Sequence, residues 1–386
     1  MQTAVVSTRL PDSVAAGRDL CEQIHANLPA EPEAIIVFAA PTYDHEALLA
    51  ALKTGCGSAI IVGASSAGEF ANRDLGEGLA TALALRGEDV RFSAGVGRGL
   101  RGDTAAAARQ IATGLHGLSD HSFPYRSALV MTDALAGYAD ALVDELTLAT
   151  AGQYQFFGGG AGDNANFQRT TVFCDTEVMT DAAVALEILS TKPLGIGVSH
   201  GWEPASEPYR VTEADGLRLV SLNGFPAADA FHAHAEANSQ TLDPEAPIPF
   251  FLHNILGIDT GAGYRLRVPL AILEDGSVLC AAEVPVGSMV RIMRSSAASA
   301  VEAAERATDA ALAGLRDSKP EAALLFDCVA TRLRLGDQFA AQVAAVADRL
   351  GEIGLVGCNT HGQIARAEGQ FHGFHNCTAV VCVFPA

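Results

Sequence analysis

Three times in this chain an apolar run leads into a glycine-rich turn, and each time the surrounding elements come in the same order. The first stretch runs from the apolar segment Ala34–Ala39 through a helix-period segment, His45–Lys53, to the apolar run Ala59–Val62. It then enters Gly63-Ala-Ser-Ser-Ala-Gly68-Glu69, followed by strand patterns at Leu79–Leu85 and Phe92–Gly97. The second has Ala128–Thr132, a helix pattern over Ala139–Thr147, Tyr154–Phe157, Gly158-Gly-Gly-Ala-Gly162-Asp163, then Ala182–Leu189 and Leu194–Ser199. The third has Ala322–Asp327, a helix over Gln338–Leu350, Ile353–Val356, Gly357-Cys-Asn-Thr-His-Gly362-Gln363, and a closing strand Thr378–Phe384. The unit is strand–helix–strand–glycine loop–strand, used three times, and its loop tips are expected to converge on a common pocket.

Different material separates the second and third copies. Tyr209–Gly216 and Leu217–Leu222 read as paired strands, Asn223–Pro226 as a turn, Ala227–Ala237 as a helix, and the proline-rich 243–249 as a loop. Tyr264–Leu273 and Val278–Val284 read as a hairpin about the turn Glu274–Ser277, with a further strand at Ser288–Met293. Ser295–Leu315 is alanine-rich with Ser295 or Ser296 as its cap, and reads as a long helix. The expectation is an α/β protein of two domains, 1–215 and 216–386, with mixed β-sheets flanked by helices. The strand after each glycine loop arrives without an intervening helix, so part of each sheet is antiparallel.

Composition narrows the function. Of 386 residues 49% are apolar, which excludes global disorder, and 45 acidic against 25 basic residues give a net charge of −20. That sign repels phosphate backbones and anionic lipid, so neither nucleic acid nor a membrane surface is an expected partner. No apolar run reaches the length of a membrane-spanning helix, and Met1–Leu10 lacks the pattern of a secretory signal. The eight cysteines form no Cys-x-x-Cys pair and sit among small apolar residues, as reduced thiols of a cytoplasmic protein do.

The glycine loops carry the chemistry. A glycine turn after a buried strand lets backbone N–H groups approach a ligand closely. Glu69 and Asp163 follow the last glycine of the first two loops, and Gln363 holds that place in the third. Ser65, Ser66, Gly68, Glu69, Gly162, Asp163, Asn164, Asn359 and Thr360 are the expected ligand contacts, through hydrogen bonds and charge pairing. A carboxylate beside N–H donors suits an amine or an amino-acid-like molecule. The loops lack the Gly-Lys-Ser/Thr of a phosphate-binding loop and the long following helix of a dinucleotide fingerprint, and no Gly-x-Ser-x-Gly or His-Glu-x-x-His occurs.

Histidines gather near the end. His361, His372 and His375 stand close to Cys358 and Cys377, and His200 follows the last strand of the second copy, beside Trp202. His200, His361 and His375 are the candidates for a haem or metal ligand, while His232 and His234 read as a solvated helix face. Arg267 and Arg332 lie in apolar surroundings, and each calls for a carboxylate partner from the protein or a ligand. Cys328 and Cys358 are the candidate nucleophiles should the chain be a cysteine-dependent enzyme.

Taken together, VGASSAGEF (62–70), FGGGAGDN (157–164) and GIGVSHGW (195–202) resemble the FIST N-terminal domain. VTEADG (211–216), LNGFPAAD (222–229), LLFDCVATR (324–332), VGCNTHGQI (356–364) and FHNCT (374–378) resemble the FIST C-terminal domain. The sequence departs from the family at Ala64, where members often carry Cys, and at Gln363, where Glu is usual. The resemblance implies a cytoplasmic sensory protein rather than an enzyme. It would bind a small molecule such as an amino acid and signal to a partner such as a histidine kinase or a cyclic-dinucleotide signalling enzyme; the loops place the expected cleft between the two halves, lined by all three of them. For some members it implies haem and nitric-oxide sensing.

Overall fold

The computed structural model describes residues 1–366 and 373–386; His372 lies outside them. The chain lays down three copies of one unit in sequence. The first comprises β1 (Gln2–Thr8), α1 (Ser13–Asn27), β2 (Ala34–Ala39), α2 (His45–Gly55), β3 (Ile60–Ser65), a short hairpin β4 (Glu69–Ala71) and β5 (Asp74–Gly76), and β6 (Ala80–Arg86). The second comprises β7 (Val90–Arg98), α3 (Thr104–Thr113), β8 (Tyr125–Thr132), α4 (Ala139–Ala149), β9 (Gln155–Gly160), the hairpin β10 (Val172–Cys174) and β11 (Glu177–Met179), and β12 (Ala182–Ser190). The third opens with β13 (Gly195–Ser199) and is interrupted. The interruption holds β14 (Glu203–Pro204), β15 (Tyr209–Asp215), β16 (Arg218–Leu222), β17 (Phe225–Pro226), α5 (Ala227–Ala237), α6 (Ile248–Phe251), β18 (Ile255–Asp259), β19 (Tyr264–Arg267), β20 (Pro269–Ile272), β21 (Val278–Cys280) and β22 (Met289–Arg294). The unit then resumes with α7 (Ala297–Gly314), β23 (Pro320–Cys328), α8 (Val329–Leu335), α9 (Phe339–Leu350), β24 (Gly354–Thr360), the hairpin β25 (Gln363–Arg366) and β26 (Phe374–His375), and β27 (Ala379–Pro385).

Each unit forms a six-stranded mixed sheet, and each sheet borrows two strands from another unit. The hairpin after β3 leaves its own sheet and adds β4 to β24 of the third unit. The hairpin after β9 adds β10 to β3 of the first, and the hairpin after β24 adds β25 to β9 of the second. The exchange is cyclic. It caps one edge of every sheet, where unpaired backbone groups would otherwise template aggregation.

The apolar runs are continuous because both sheet faces are covered. Along β2, Ala34, Ile36 and Phe38 point into one core shared by all three sheets, while Ile35, Val37 and Ala39 point out against α1 and α2. The shared core takes Leu129 and Met131 from the second sheet and Leu324 and Phe326 from the third, with Phe38 edge-on to Phe326 at 5.5 Å. Helices α3 and α4 cover the second sheet and α7 and α9 the third. Asp12, Asp44 and Asp103 each accept the N–H three residues on and so start α1, α2 and α3, and Ser296 starts α7 with a capping box.

The α/β class with mixed sheets flanked by helices is the one that forms. Three details differ from the sequence reading. Phe92–Gly97 and Leu194–Ser199 do not close their copies: as β7 and β13 they open the next ones, pairing β12 and β27. Periodicity marks a strand but not the sheet it joins. The run Tyr264–Leu273 splits, β19 pairing β18 and β20 pairing β21, because Pro269 has no N–H to continue one ladder. His234, expected on a solvated face, is buried against Asn254 at 3.1 Å, while His232 is exposed. Among the described residues no helix is long and apolar enough to cross a membrane.

Candidate functional site

The three glycine loops meet. Ala67 N–H donates to the Asn359 carbonyl (2.9 Å) and Asn359 N–H to that of Gly68 (2.8 Å), joining the first loop to the third. Gly162 N–H donates to the Ser65 carbonyl (2.8 Å), joining the second to the first, and Gly160 N–H donates to the Gly362 carbonyl (2.9 Å) while His361 N–H donates to that of Gly160 (3.0 Å), joining the second to the third. Glycine is required by this proximity: a Cβ on Gly162 would sit 2.7 Å from the Ala67 nitrogen, and one on Gly160 would sit 2.6 Å from the His361 carbonyl oxygen.

The meeting is too close to leave the single cleft the loops were expected to line. Most of the expected ligand contacts serve the loops themselves. Ser65 Oγ accepts from Thr171 N–H (2.9 Å). The Asp163 carboxylate accepts the N–H groups of Phe167 (3.0 Å), Gln168 (2.6 Å) and Arg169 (3.1 Å). Thr360 Oγ1 donates to the Asp327 carbonyl (3.3 Å), and Ser66 Oγ donates to Glu69 (2.5 Å), which also accepts from Leu79 N–H (3.0 Å). Gly68 and Gly162 are packed against neighbouring loops, and Asn164 and Asn359 are left with Oδ1 and Nδ2 unpaired. Of the nine residues, Glu69 and Asn359 reach a cleft, one of about 430 Å³ on the α8–α9 side that also holds Arg332. The carboxylate expected for Arg332 comes from Glu77, at 2.8 Å.

Burial pushes the Glu69 carboxyl up to about 7, against the opposing bonds from Ser66, Leu79 and Gly68 and the charge of Arg332. A carboxyl whose pKa is higher in the folded than in the unfolded chain adds stability that is full below the unfolded value and is lost as pH rises through the folded one. At about 1.4 kcal/mol per pKa unit, the loss is on the order of 3 kcal/mol between about pH 4 and pH 7. Glu69→Gln keeps an acceptor for Leu79 and removes the ionisation. The variant is expected to be more stable than wild type at about pH 8 and closer to it at about pH 5, read as the difference between urea midpoints. The difference matters because His361 and Cys328, described below, slope the other way. An equal difference at both values would contradict the assignment.

A second cleft, about 400 Å³, opens on the other side of the third loop. Its walls are the segment 134–141 leading into α4, the start of α8 at Cys328–Ala330, Phe167, His361, Gly362, Phe374 and Asn376. The interrupting sheet closes it with Leu217, Val268, Leu270 and Leu279–Glu283. The lining is mostly apolar and, among the described residues, includes no lysine or arginine. Arg267, fully buried on β19, crosses behind the wall to pair with Asp140 of α4 and donates to the carbonyls of Glu283 (2.9 Å) and Leu266 (2.9 Å). Its expected carboxylate is therefore the protein's own, and this pair pins the interrupting sheet to the second unit.

Two side chains in this cleft carry polar atoms that have no hydrogen bond among the described residues. His361 stacks on Phe167 (centroids 4.8 Å apart) with Nε2 3.7 Å from Asp163, yet neither ring nitrogen has a hydrogen bond. Burial outweighs Asp163 and holds its pKa down to about 4, so the ring is neutral at pH 7. Asn376, 2% exposed, has Oδ1 unpaired. A buried polar atom left this way costs about 1–3 kcal/mol, and a ligand that fills the bond recovers it.

The other haem candidates lie elsewhere. His200 Nε2 is 3.0 Å from the Tyr264 carbonyl and Nδ1 accepts from Trp202 N–H (3.3 Å). His375 Nε2 is 3.1 Å from the Ala365 carbonyl. Only His361 of the three lines the 400 Å³ cleft, so the histidines do not assemble an axial pair around one cavity. Cys358 faces the shared core, fully buried, and burial keeps its thiol well above the ordinary range. Cys328 differs: it lines the cleft, and its thiol is held down to about 6 by the Cys377 thiol and by the N–H groups of Cys377 and Ala330, against burial. Cys21, His25 and Cys56 on the α1–α2 face are the group among the described residues whose donor atoms, within 4.8 Å of one another, are close enough for a metal ion. Sequence spacing hid this group, because it is assembled across two helices.

Two family models match this chain. The family model of the FIST N domain matches residues 33–224 and that of the FIST C domain residues 227–366. Uncharacterized protein Rv0628c of Mycobacterium tuberculosis is 25% identical over 261 residues, 66% of this chain and 67% of its own length. Uncharacterized protein Mb0898c of Mycobacterium bovis is 27% identical over 222 residues, 56% of each. Among solved structures, cyanuric acid hydrolase from A. caulinodans aligns over 100% of this chain and 99% of its own, with a TM-score of 0.37 and 11% identity.

Proposed function

The chain belongs to the FIST family, whose domains are sensory modules for small ligands, and from that premise we propose that its ligand site is the 400 Å³ cleft between the second unit, the start of α8 and the interrupting sheet. One observation carries this reading: an apolar cleft of ligand size in which His361 and Asn376 present hydrogen-bonding atoms that nothing among the described residues satisfies. The ligand is a small molecule with an apolar body and an N–H donor for Asn376 Oδ1, and neutral His361 can serve as donor or acceptor. With the exposed Glu283 carboxylate in the wall, Asp140 already paired with Arg267, and no lysine or arginine among the described lining residues, an amine suits the cleft better than a carboxylate. Of the expected ligand class, the amine end is thus favoured over the intact amino acid.

Because the cleft lies between the interrupting sheet and the core, ligand bound there favours one pose of the two over others. A separate partner, of the histidine-kinase or cyclic-dinucleotide class that the family association suggests, would read that pose.

The test is a thermal-shift comparison of each apolar or aromatic amino acid with its decarboxylated amine. Stabilisation by an amine, with a smaller shift from its parent acid, is the expected outcome. Shifts from the acids alone contradict the assignment of ligand charge. For a responding amine, His361→Ala is expected to weaken binding by roughly tenfold or more, the equivalent of one buried hydrogen bond.

A further inference from the structure

A second chemical cluster stands on the outer face of the first unit and shares no wall residue with the 400 Å³ cleft. Cys21 and His25 lie four residues apart on α1 and so project from one face of the helix. Cys56 caps the C-terminal end of α2, its N–H donating to the Leu52 carbonyl (2.9 Å). The two helices are pressed together: a Cβ on Gly17 would overlap the Leu48 carbonyl oxygen, and one on Gly55 would overlap the Cys21 sulfur. That packing sets the Cys56 sulfur 3.0 Å from the Cys21 sulfur, and His25 Nδ1 lies 3.8 Å from Cys21 Sγ. All three donor atoms fall within 4.8 Å of one another. The imidazole is also oriented, because its Nε2 stands 3.2 Å from the carboxylate of Glu31, beyond the end of α1. A carboxylate there accepts from Nε2–H and leaves Nδ1 with its lone pair toward the sulfur, which is how metal-binding histidines are commonly held. Two thiols packed only as small hydrophobes need neither the imidazole nor its anchor. Cys21 and Cys56 are buried, but His25 is exposed, and it lines with Cys21 a groove of about 560 Å³ between the helices, so an ion has a way in.

We propose that Cys21, His25 and Cys56 form a zinc(II) site between α1 and α2, with a fourth position open to the groove for water. Two thiolates and an imidazole suit a borderline-soft ion that prefers tetrahedral coordination, whereas calcium and magnesium call for oxygen ligands. Each thiol releases its proton to solvent as its sulfur takes up the ion, so the dication meets two thiolates and their charges cancel. Two sulfurs on one tetrahedral zinc, each at about 2.3 Å from it, stand about 3.8 Å apart, so the pair has to open by about 0.8 Å. The bound ion ties the face of α1 to the end of α2. The inference goes beyond the ligand-site reading and does not depend on it, since neither the amine nor its cleft enters the argument.

The experiment uses the full chain, reduced and stripped of metal, with cobalt(II) and then zinc(II) as probes. In wild type one cobalt per chain is expected, with thiolate-to-metal charge-transfer absorption and the visible bands of tetrahedral cobalt, and zinc should displace it. Cys21→Ser and Cys56→Ser should each lose the charge-transfer absorption at equimolar cobalt, while Cys174→Ser, outside the cluster, should bind as wild type does. Cys56 is fully buried, so two variants at exposed positions carry the test should its serine form fold poorly. His25→Ala should weaken cobalt binding at least roughly a hundredfold, as loss of a ligand does, and Glu31→Ala roughly tenfold, as loss of the group that orients a ligand does. No charge-transfer absorption in wild type, or an affinity unchanged in His25→Ala, overturns the proposal. A Cys21–Cys56 disulfide that forms as fast with zinc present as without it, read by peptide mapping, overturns it too, because the ion would then not hold the sulfurs.

Discussion

Replacing Arg267 by Ala is expected to cost about 3–5 kcal/mol of stability and to abolish amine binding in the 400 Å³ cleft. The guanidinium is fully buried and satisfies Asp140 and two carbonyls, and burial has already drawn its pKa down to about 10, against the charge of Asp140. Truncation strands the Asp140 carboxylate with Arg265, at 3.6 Å, as its remaining cation, and leaves a void between β19 and α4. Asp140→Ala strands the arginine instead and should cost a similar amount. Arg267→Met combined with Asp140→Leu should cost much less than the sum of the singles, since apolar groups of similar volume replace a buried pair at little net cost. The urea denaturation midpoint of each variant measures this. Additive losses would show that the two residues do not act as a pair.

The second large effect is at the centre. Gly162→Val is expected to destabilise by about 3 kcal/mol or more, because its Cβ would stand 2.7 Å from the Ala67 nitrogen and Cβ, and neither backbone has room to retreat. Gly102→Ala serves as the control: its Cβ would meet only the Gly99 carbonyl, at 3.6 Å, and a change within about 0.5 kcal/mol is expected. If Gly162→Val is tolerated as well as the control, the loops are not packed as described.

How far the sequence foretold this arrangement depends on which physical signal each part carries. The core strands were legible because burial on both faces produces runs such as Ala34–Ala39, and α5 was legible at its observed bounds because its apolar positions recur at helical spacing. The convergence of the three loops followed from their equivalent places in a repeated unit. The strand exchange was not legible. The travelling strands β4, β5, β10 and β11 have three residues each, too few for a period, and no residue states which sheet edge its backbone will meet. That exchange closes the axis where a shared cleft was expected and moves the usable cavities to either side. Of the site residues, His361 and Cys328 could be named from the sequence as a histidine and a cysteine of interest. Asn376 could not, because its significance is an unpaired atom, a property of packing. Arg267 announced that it needed a carboxylate but not that Asp140, on an element far earlier in the chain, would supply it.

The central claim places the ligand beside His361 rather than beside Glu69. Isothermal titration of the most stabilising amine into wild type, Ala281→Trp and Ala340→Trp decides between the two cavities. Ala281 is exposed on the wall of the 400 Å³ cleft and Ala340 on the wall of the 430 Å³ cleft, so an indole at either place fills its own cavity without entering a core. Binding lost in Ala281→Trp and kept in Ala340→Trp is the predicted result; binding kept in Ala281→Trp and lost in Ala340→Trp would contradict it.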